Sequence, residues 1–201
     1  MSIFSTLFKK KSGCCNNVFT SCCVTNVVGK FYKVPYTEYK EAVLKYFPNS
    51  PEDEIKKSYD EIILPNRATA GSAGYDIHTP TSFIVDPWEE ITIPTGIGCT
   101  IDSGWFLMIV PRSGLGFKWY TRLANTCGII DSDYSGSSNH GHIMVKLRAE
   151  NIGEKQLAVN SGDAIAQSIF VPYGITSDDD ATGERDGGFG STDGGKNETS
   201  D

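Results

Sequence analysis

The chain has 201 residues, with 18 Lys and Arg against 25 Asp and Glu and a formal net charge of −7. That length suggests one domain with extensions, and a domain of about 150 residues buries roughly 70% of its unfolded surface. The acidic balance, with no basic run beyond Lys9-Lys10-Lys11, argues against broad nucleic-acid binding, and no apolar stretch reaches the length of a membrane span. An anionic small substrate stays open, because a few Arg and backbone N–H groups suffice to hold one.

The N-terminal 28 residues contain no acid and no clear periodicity, and the first acidic residue is Glu38. Residues 1–28 therefore read as a disordered tail. Four of the six cysteines crowd into Cys14-Cys15 and Cys22-Cys23, while Cys99 and Cys127 stand alone in apolar segments. This is not the spacing of a secreted disulfide scaffold, so the compartment is read as cytoplasmic or otherwise reducing. Zinc binding or palmitoylation at the doubled cysteines is a lesser alternative.

The segment from Phe31 to Tyr36 reads as a short strand with Pro35 at an edge or an end. From Thr37 the period turns helical, with Tyr39, Val43, Leu44 and Phe47 on one stripe, Thr37 as N-cap and Pro48 as stop. Ser50-Pro51-Glu52-Asp53 is a second helix start, with Pro at the first helical position. The helical segment spans about 37–59. Everything after it reads as strand: 82–85, 90–93, 98–101, 105–110, 142–148, 155–159 and 164–171. Many short strands at close spacing imply an all-β sandwich, jelly roll or barrel over residues 29–176. From residue 177 onward, Asp, Gly, Ser and Thr dominate and leave too little apolar surface for independent folding.

Asn125 to Gly136 carries the densest chemistry, with Asp131 and Asp133 beside Tyr134 and between Gly128 and Gly136. A period-two reading sends both carboxylates to one face and Ser132 and Tyr134 to the other, on one arm of a hairpin. Alone, the segment reads first as an acid-rich surface turn, because loop carboxylates are usually just solvated. Ala70 to Ile77 is a small-residue turn that ends in Asp76-Ile77. Pro111-Arg112-Ser113-Gly114-Leu115-Gly116 follows an apolar strand and offers a guanidinium, a hydroxyl and open backbone N–H groups, which suit a phosphate. Gly162 to Gln167 sets a polar Gln among apolar neighbours, and Arg185 to Thr192 is a glycine-rich tail around Phe189.

Taken together and in this order, these five segments resemble the five signature motifs of the trimeric dUTPases, over about residues 62–195. The resemblance implies a jelly-roll-like β subunit with a short N-terminal helical insertion, a homotrimer with sites between subunits, and a flexible arm, residues 177–201, that closes over a site. It implies hydrolysis of dUTP to dUMP and pyrophosphate, which limits uracil incorporation into DNA and supplies dUMP for dTTP synthesis. Asp131 matches the catalytic carboxylate that orients and deprotonates the attacking water, and Asp133 a supporting position. Tyr134 matches the deoxyribose platform, whose ring leaves no room for a 2′-hydroxyl. Asn125 and the backbone near Gly128 and Ile130 match the uracil-reading hairpin, and Phe189 a ring stacked over uracil. Arg112, Ser113, Gly114 and Gln167 match phosphate contacts, with Arg185, Gly190, Ser191 and Thr192 covering the phosphates from the tail. Asp76 matches an acid that supports Mg2+ through water. The partners implied are dUTP and two further copies of the chain, with neither nucleic acid nor membrane.

Two departures stand out. Asp186 replaces a glycine in the tail motif and the spacing from Arg185 to Phe189 is one residue shorter, while Ser137 to His142 lengthens the connection to the next strand. His140 and His142 form a two-His pair with no third ligand in sight, so metal binding there is the lesser reading. Two rivals share the scaffold: a dCTP deaminase, which places a Glu on the strand where Ile143 to Arg148 has none, and a catalytically silent nucleotide-binding protein. A β-sandwich adhesion or capsid domain gives no reason for Arg112-Ser113-Gly114 and Phe189 to coexist.

Overall fold

A computed structural model describes residues 27–150, 155–183 and 185. Nearly all of the 1–28 tail and most of the 177–201 arm, with Phe189, Gly190, Ser191 and Thr192, lie outside the described residues.

In chain order the elements are β1 (Gly29–Lys33), α1 (Tyr36–Tyr46), α2 (Glu52–Asp60), β2 (Tyr75–His78), β3 (Phe83–Val85), β4 (Glu90–Pro94), β5 (Ile97–Ile101), β6 (Trp105–Pro111), α3 (Ser113–Trp119), β7 (Thr121–Leu123), β8 (Gly128–Ile130), β9 (Met144–Ala149), β10 (Leu157–Val159) and β11 (Ala164–Pro172). Among the described residues the strands form sheets β2-β11-β6-β8, β4-β9-β7, β1-β5 and β10-β3, and every strand pairing is antiparallel. This is the all-β, jelly-roll-like architecture with an N-terminal helical insertion.

Period-two patterning explains which faces meet. Along β9, Val145, Leu147 and Ala149 are buried while Lys146 is exposed. Ile93, Ile77, Leu107 and Ile165 add fully buried side chains from β4, β2, β6 and β11. Each such aliphatic side chain is worth about 1.5–3 kcal/mol of burial, so this shared core holds the sheets together.

The helices differ from the expectation in detail. α1 starts at Tyr36 with Pro35 rather than Thr37 at the N-cap, and no side chain caps it. Pro51 is likewise the N-cap of α2, not its first helical residue. Pro at the cap sets an extended approach to each helix, which the sequence signature does not separate from Pro one place further on. The buried stripe of α1 is Tyr39, Ala42 and Val43, while Leu44 is exposed. The anchor is Tyr39, whose hydroxyl meets Ser58 of α2 at 2.9 Å inside the core.

Residues 113–119 were expected to continue the strand-like region, but form α3. Gly114 and Gly116 disguise a helix in sequence, because glycine carries a poor helix propensity. The helix ends at Tyr120, in the left-handed conformation with φ 50.

Candidate active site

β7 and β8 belong to different sheets. β7 pairs with β9, while β8 pairs with β6. The link between them, Ala124 to Cys127, therefore bridges the two sheets. It is tight: Thr126 takes φ 68, its N–H reaches Leu123 O at 3.0 Å, and Cys127 N–H reaches Asn125 O at 2.7 Å.

The bridge opens a cavity of about 680 Å³ between the sheets. Asn125, Gly128, Ile130, Asp131 and Tyr134 all line it. β8 is an edge strand, so alternate backbone N–H and C=O groups point away from β6 and stay open to a ligand. Gly128 sits opposite Ile109, where an added Cβ would come 3.3 Å from the Ile109 Cβ.

The acidic segment does not continue the strand. β8 stops at Ile130, Asp131 to Asp133 form a turn, and Tyr134–Gly136 is a single 3-10 turn. Period-two reasoning therefore fails for the two carboxylates, yet both end up on one partner. The Arg185 guanidinium pairs with Asp131, and its Nε donates to Asp133 Oδ1 at 2.9 Å. The same guanidinium lies 5.7 Å from the centre of the Tyr134 ring. Arg185 was expected over phosphates; in the described structure its charge is met by these two acids.

Tyr134 is buried, and its hydroxyl is fully engaged. It donates to His142 O at 2.9 Å and accepts from Asn139 Nδ2 at 2.9 Å. Burial pushes the phenol pKa up, so the group is neutral.

A second polar group lies on neighbouring strands. Asp76 of β2 stands opposite Gln167 of β11, and Gln167 stands opposite Val110 of β6. Arg112, just past β6, meets Asp76 through Nη2 at 3.2 Å and Nε at 3.1 Å. Gln167 Nε2 donates to Pro111 O at 3.2 Å. Arg112 and Gly114 also line a depression of about 280 Å³ with Lys118 and Asp163.

The two groups do not meet in one chain. Leu107 pairs with Ile130, so Asp131 follows at the Phe106 end of β6, whereas Arg112 follows the opposite end at Pro111. At about 3.3 Å per residue that is a separation of roughly 20 Å.

Sequence reasoning passed over several cavity-lining residues: Tyr46 at the end of α1, Thr92 of β4, and Met144 and Lys146 of β9. Thr92 and Lys146 are register partners, so an outward-facing pair on adjacent strands was the available signal. Nothing in sequence brings Tyr46 there; the packing of α1 on β4 does. His142, read as incidental, is fully buried. Its Nε2 accepts from Gly96 N–H at 2.9 Å, which leaves Nδ1 to carry the proton toward Glu38 Oε1 at 3.3 Å. Burial lowers its pKa to about 4, so the ring is neutral. Cys99 is buried, with its thiol pushed up to about 12 by burial.

The dUTPase family model matches residues 60–193. The deoxyuridine 5'-triphosphate nucleotidohydrolase of Actinobacillus pleuropneumoniae serotype 5b is 42% identical over 139 residues, which cover 65% of this chain and 87% of that protein. The enzyme of that name from Escherichia coli K12 is 38% identical over 138 residues, again 65% and 87% of the two chains. Among solved structures, the dUTPase of Streptococcus mutans superposes with a TM-score of 0.53 at 29% identity, covering 59% of this chain and 91% of that one. The fold and these likenesses define a nucleotide-hydrolysing β protein, and the chain belongs to the dUTPase family. It is an enzyme that hydrolyses dUTP to dUMP and pyrophosphate; the deaminase and silent-scaffold readings are not favoured.

Proposed function

We propose that the cavity between β6–β8 and β7–β9 binds the deoxyuridine part of dUTP, and that Asp131 is the general base. The carrying observation is the grouping of Asn125, Gly128, Ile130, Asp131 and Tyr134 around one cavity whose rim strand has an open backbone edge. Backbone donors and acceptors of β8, with Asn125, pair with the uracil edge. Cytosine carries the inverse pattern there and leaves buried groups unpaired, which discriminates strongly. Tyr134 packs against the sugar face and excludes a 2′-hydroxyl.

Asp131 takes a proton from water as it attacks the α-phosphorus in line, and the bond to the bridging oxygen of pyrophosphate breaks. Arg112, Ser113, Gly114 and Gln167 hold the phosphates. Because Asp131 and Arg112 flank opposite ends of β6, one triphosphate reaches both only when they come from different copies. That separation supports a site shared between subunits of a homotrimer. Exposed Phe117 and Ile129, 85% and 52% accessible, offer apolar surface for such contacts. Phe189 and Arg185, Gly190, Ser191 and Thr192 of the arm then cover uracil and phosphates.

For Mg2+, the test is the donor set. Among the described residues no three His, Cys, Asp or Glu cluster as a cage. Asp76 is one carboxylate beside the phosphate group, and Mg2+ is commonly held by one or two carboxylates, waters and substrate phosphates. Asp76 therefore fits an outer position in which water intervenes, and the ion would supply charge neutralisation across the phosphates. No described helix is long and apolar enough to cross a membrane.

The test is pyrophosphate release with magnesium from dUTP, dCTP, dTTP and UTP side by side. Strong preference for dUTP with dUMP as co-product is expected. Ammonia from dCTP, or binding without product, overturns the reading.

A further inference from the structure

In the loop from Ser137 to His142, Ser137 and His142 are buried and Asn139 is half-buried, while Ser138 and His140 face outward. Asn139 is its centre. Its Nδ2 donates to the Tyr134 hydroxyl at 2.9 Å, while its Oδ1 accepts from Ser137 Oγ at 2.7 Å and from Gly141 N–H at 3.2 Å. The Gly141 N–H can only donate, so it holds Oδ1 on its own side and turns Nδ2 toward the Tyr134 hydroxyl.

The loop is itself anchored. His140 and Gly141 take φ 55 and φ 68, which fold the chain back under Tyr134. At Gly141 a Cβ would stand 2.8 Å from the Ser135 Cα and the Tyr32 hydroxyl, so a side chain is refused there. Tyr32 OH donates to His140 O at 2.9 Å. The buried His142 ring accepts from Gly96 N–H and faces Glu38 of α1, and its carbonyl receives the Tyr134 hydroxyl proton.

We propose that Asn139 is a positioning residue that, with the His142 carbonyl, fixes the Tyr134 ring and thereby sets how strictly the enzyme refuses a 2′-hydroxyl. The inference rests on Tyr134 as the sugar platform. A ring held only by packing can rock about its side-chain bonds. A ring pinned at its far end by one donated and one accepted hydrogen bond holds its face at a constant distance from the sugar. That constancy is what steric exclusion of one oxygen atom requires. Asn139 does not line the cavity, whereas Tyr134 does; Asn139 acts through the phenol. By this route α1, which precedes the residues matched by the family model, is wired to substrate choice through Glu38 and His142.

The experiment compares kcat/KM for dUTP and UTP in the full chain and in Asn139→Ala, Tyr134→Phe, their double variant and Tyr134→Ala. Asn139→Ala is expected to lower the dUTP-over-UTP ratio about two- to tenfold, the range for one net hydrogen bond. Tyr134→Phe keeps the ring and deletes the pinned atom, so it should do the same, and the double variant should lose no more than either single one. A lowered melting temperature with an unchanged ratio makes Asn139 a loop brace and overturns the proposal. Additive losses in the double variant overturn it too, since Asn139 would then act elsewhere. If Asn139→Ala fails to fold, Tyr134→Phe with a wild-type ratio is sufficient refutation. The underlying reading fails separately: Tyr134→Ala with undiminished preference for dUTP removes the sugar platform itself.

Discussion

Asp131 and Asp133 sit on a turn where two negative charges share one guanidinium. An Asp131→Asn variant keeps an oxygen for Arg185 and keeps the shape of the cavity wall, but it cannot take a proton from water. Turnover should fall by about 10²–10⁴ while dUTP still binds, as measured by pyrophosphate release and by calorimetry. Unchanged turnover would remove Asp131 from the base role. His142 gives a pH signature. Its folded value of about 4 lies below the ordinary 6.5, so the unfolded chain takes up a proton that the native ring refuses. Stability from this ring is full above the unfolded value and is lost as pH falls toward 4. Glu38, whose pKa burial raises, works in the opposite sense and offsets part of it. In urea titrations between about pH 7 and about pH 5, His142→Gln should flatten the loss by on the order of 1–2 kcal/mol. The glutamine oxygen can still accept from Gly96. None of this was visible in the sequence, where His142 looked like one half of an idle pair.

At the scale of elements, the sequence marks strands well and turns poorly. The runs read as 90–93, 105–110 and 164–171 emerge as Glu90–Pro94, Trp105–Pro111 and Ala164–Pro172. Strand patterning is local and survives tertiary packing. The 113–119 helix and the 131–136 turn are different, because glycine and short polar residues suit several backbone shapes and only neighbours choose among them. Gly96 is one place where the neighbours decide. It takes φ 69, and an added Cβ would fall 2.3 Å from Ile62 Cδ1 and 3.0 Å from Tyr39 Cδ2. Gly96→Ala therefore meets both backbone strain and a clash with the α1 anchor. A loss of about 1–3 kcal/mol is expected, read as a lower denaturant midpoint.

At the scale of the whole molecule, the uracil-side group and the phosphate-side group lie at opposite ends of β6. If catalysis joins them across copies, two dead variants should repair one another. Asp131→Asn and Arg112→Ala chains, each inactive alone, should regain measurable dUTP hydrolysis when co-expressed, because some mixed trimers contain a site with both wild-type residues. No recovery, despite mixed trimers seen by mass spectrometry, would confine the site to one chain. Removal of residues after Gly183 should cripple turnover and leave the proposed trimer intact in light scattering. A truncated enzyme with full activity would refute the closing arm.

The sequence by itself determined the chemistry on offer and the fold class. A carboxylate pair beside a tyrosine, a guanidinium after an apolar strand and a lone Gln in another are local facts, and strand periodicity is written residue by residue. Tertiary structure alone decided the grouping. It put Asn125 and Asp131 on one cavity because β7 and β8 part into different sheets, and it added Tyr46 because α1 packs on β4. It held Arg112 on Asp76, away from Asp131. It also made Asn139 and His142 the supports of Tyr134. Such pairings depend on register and on loop closure between distant segments, and a linear pattern carries neither.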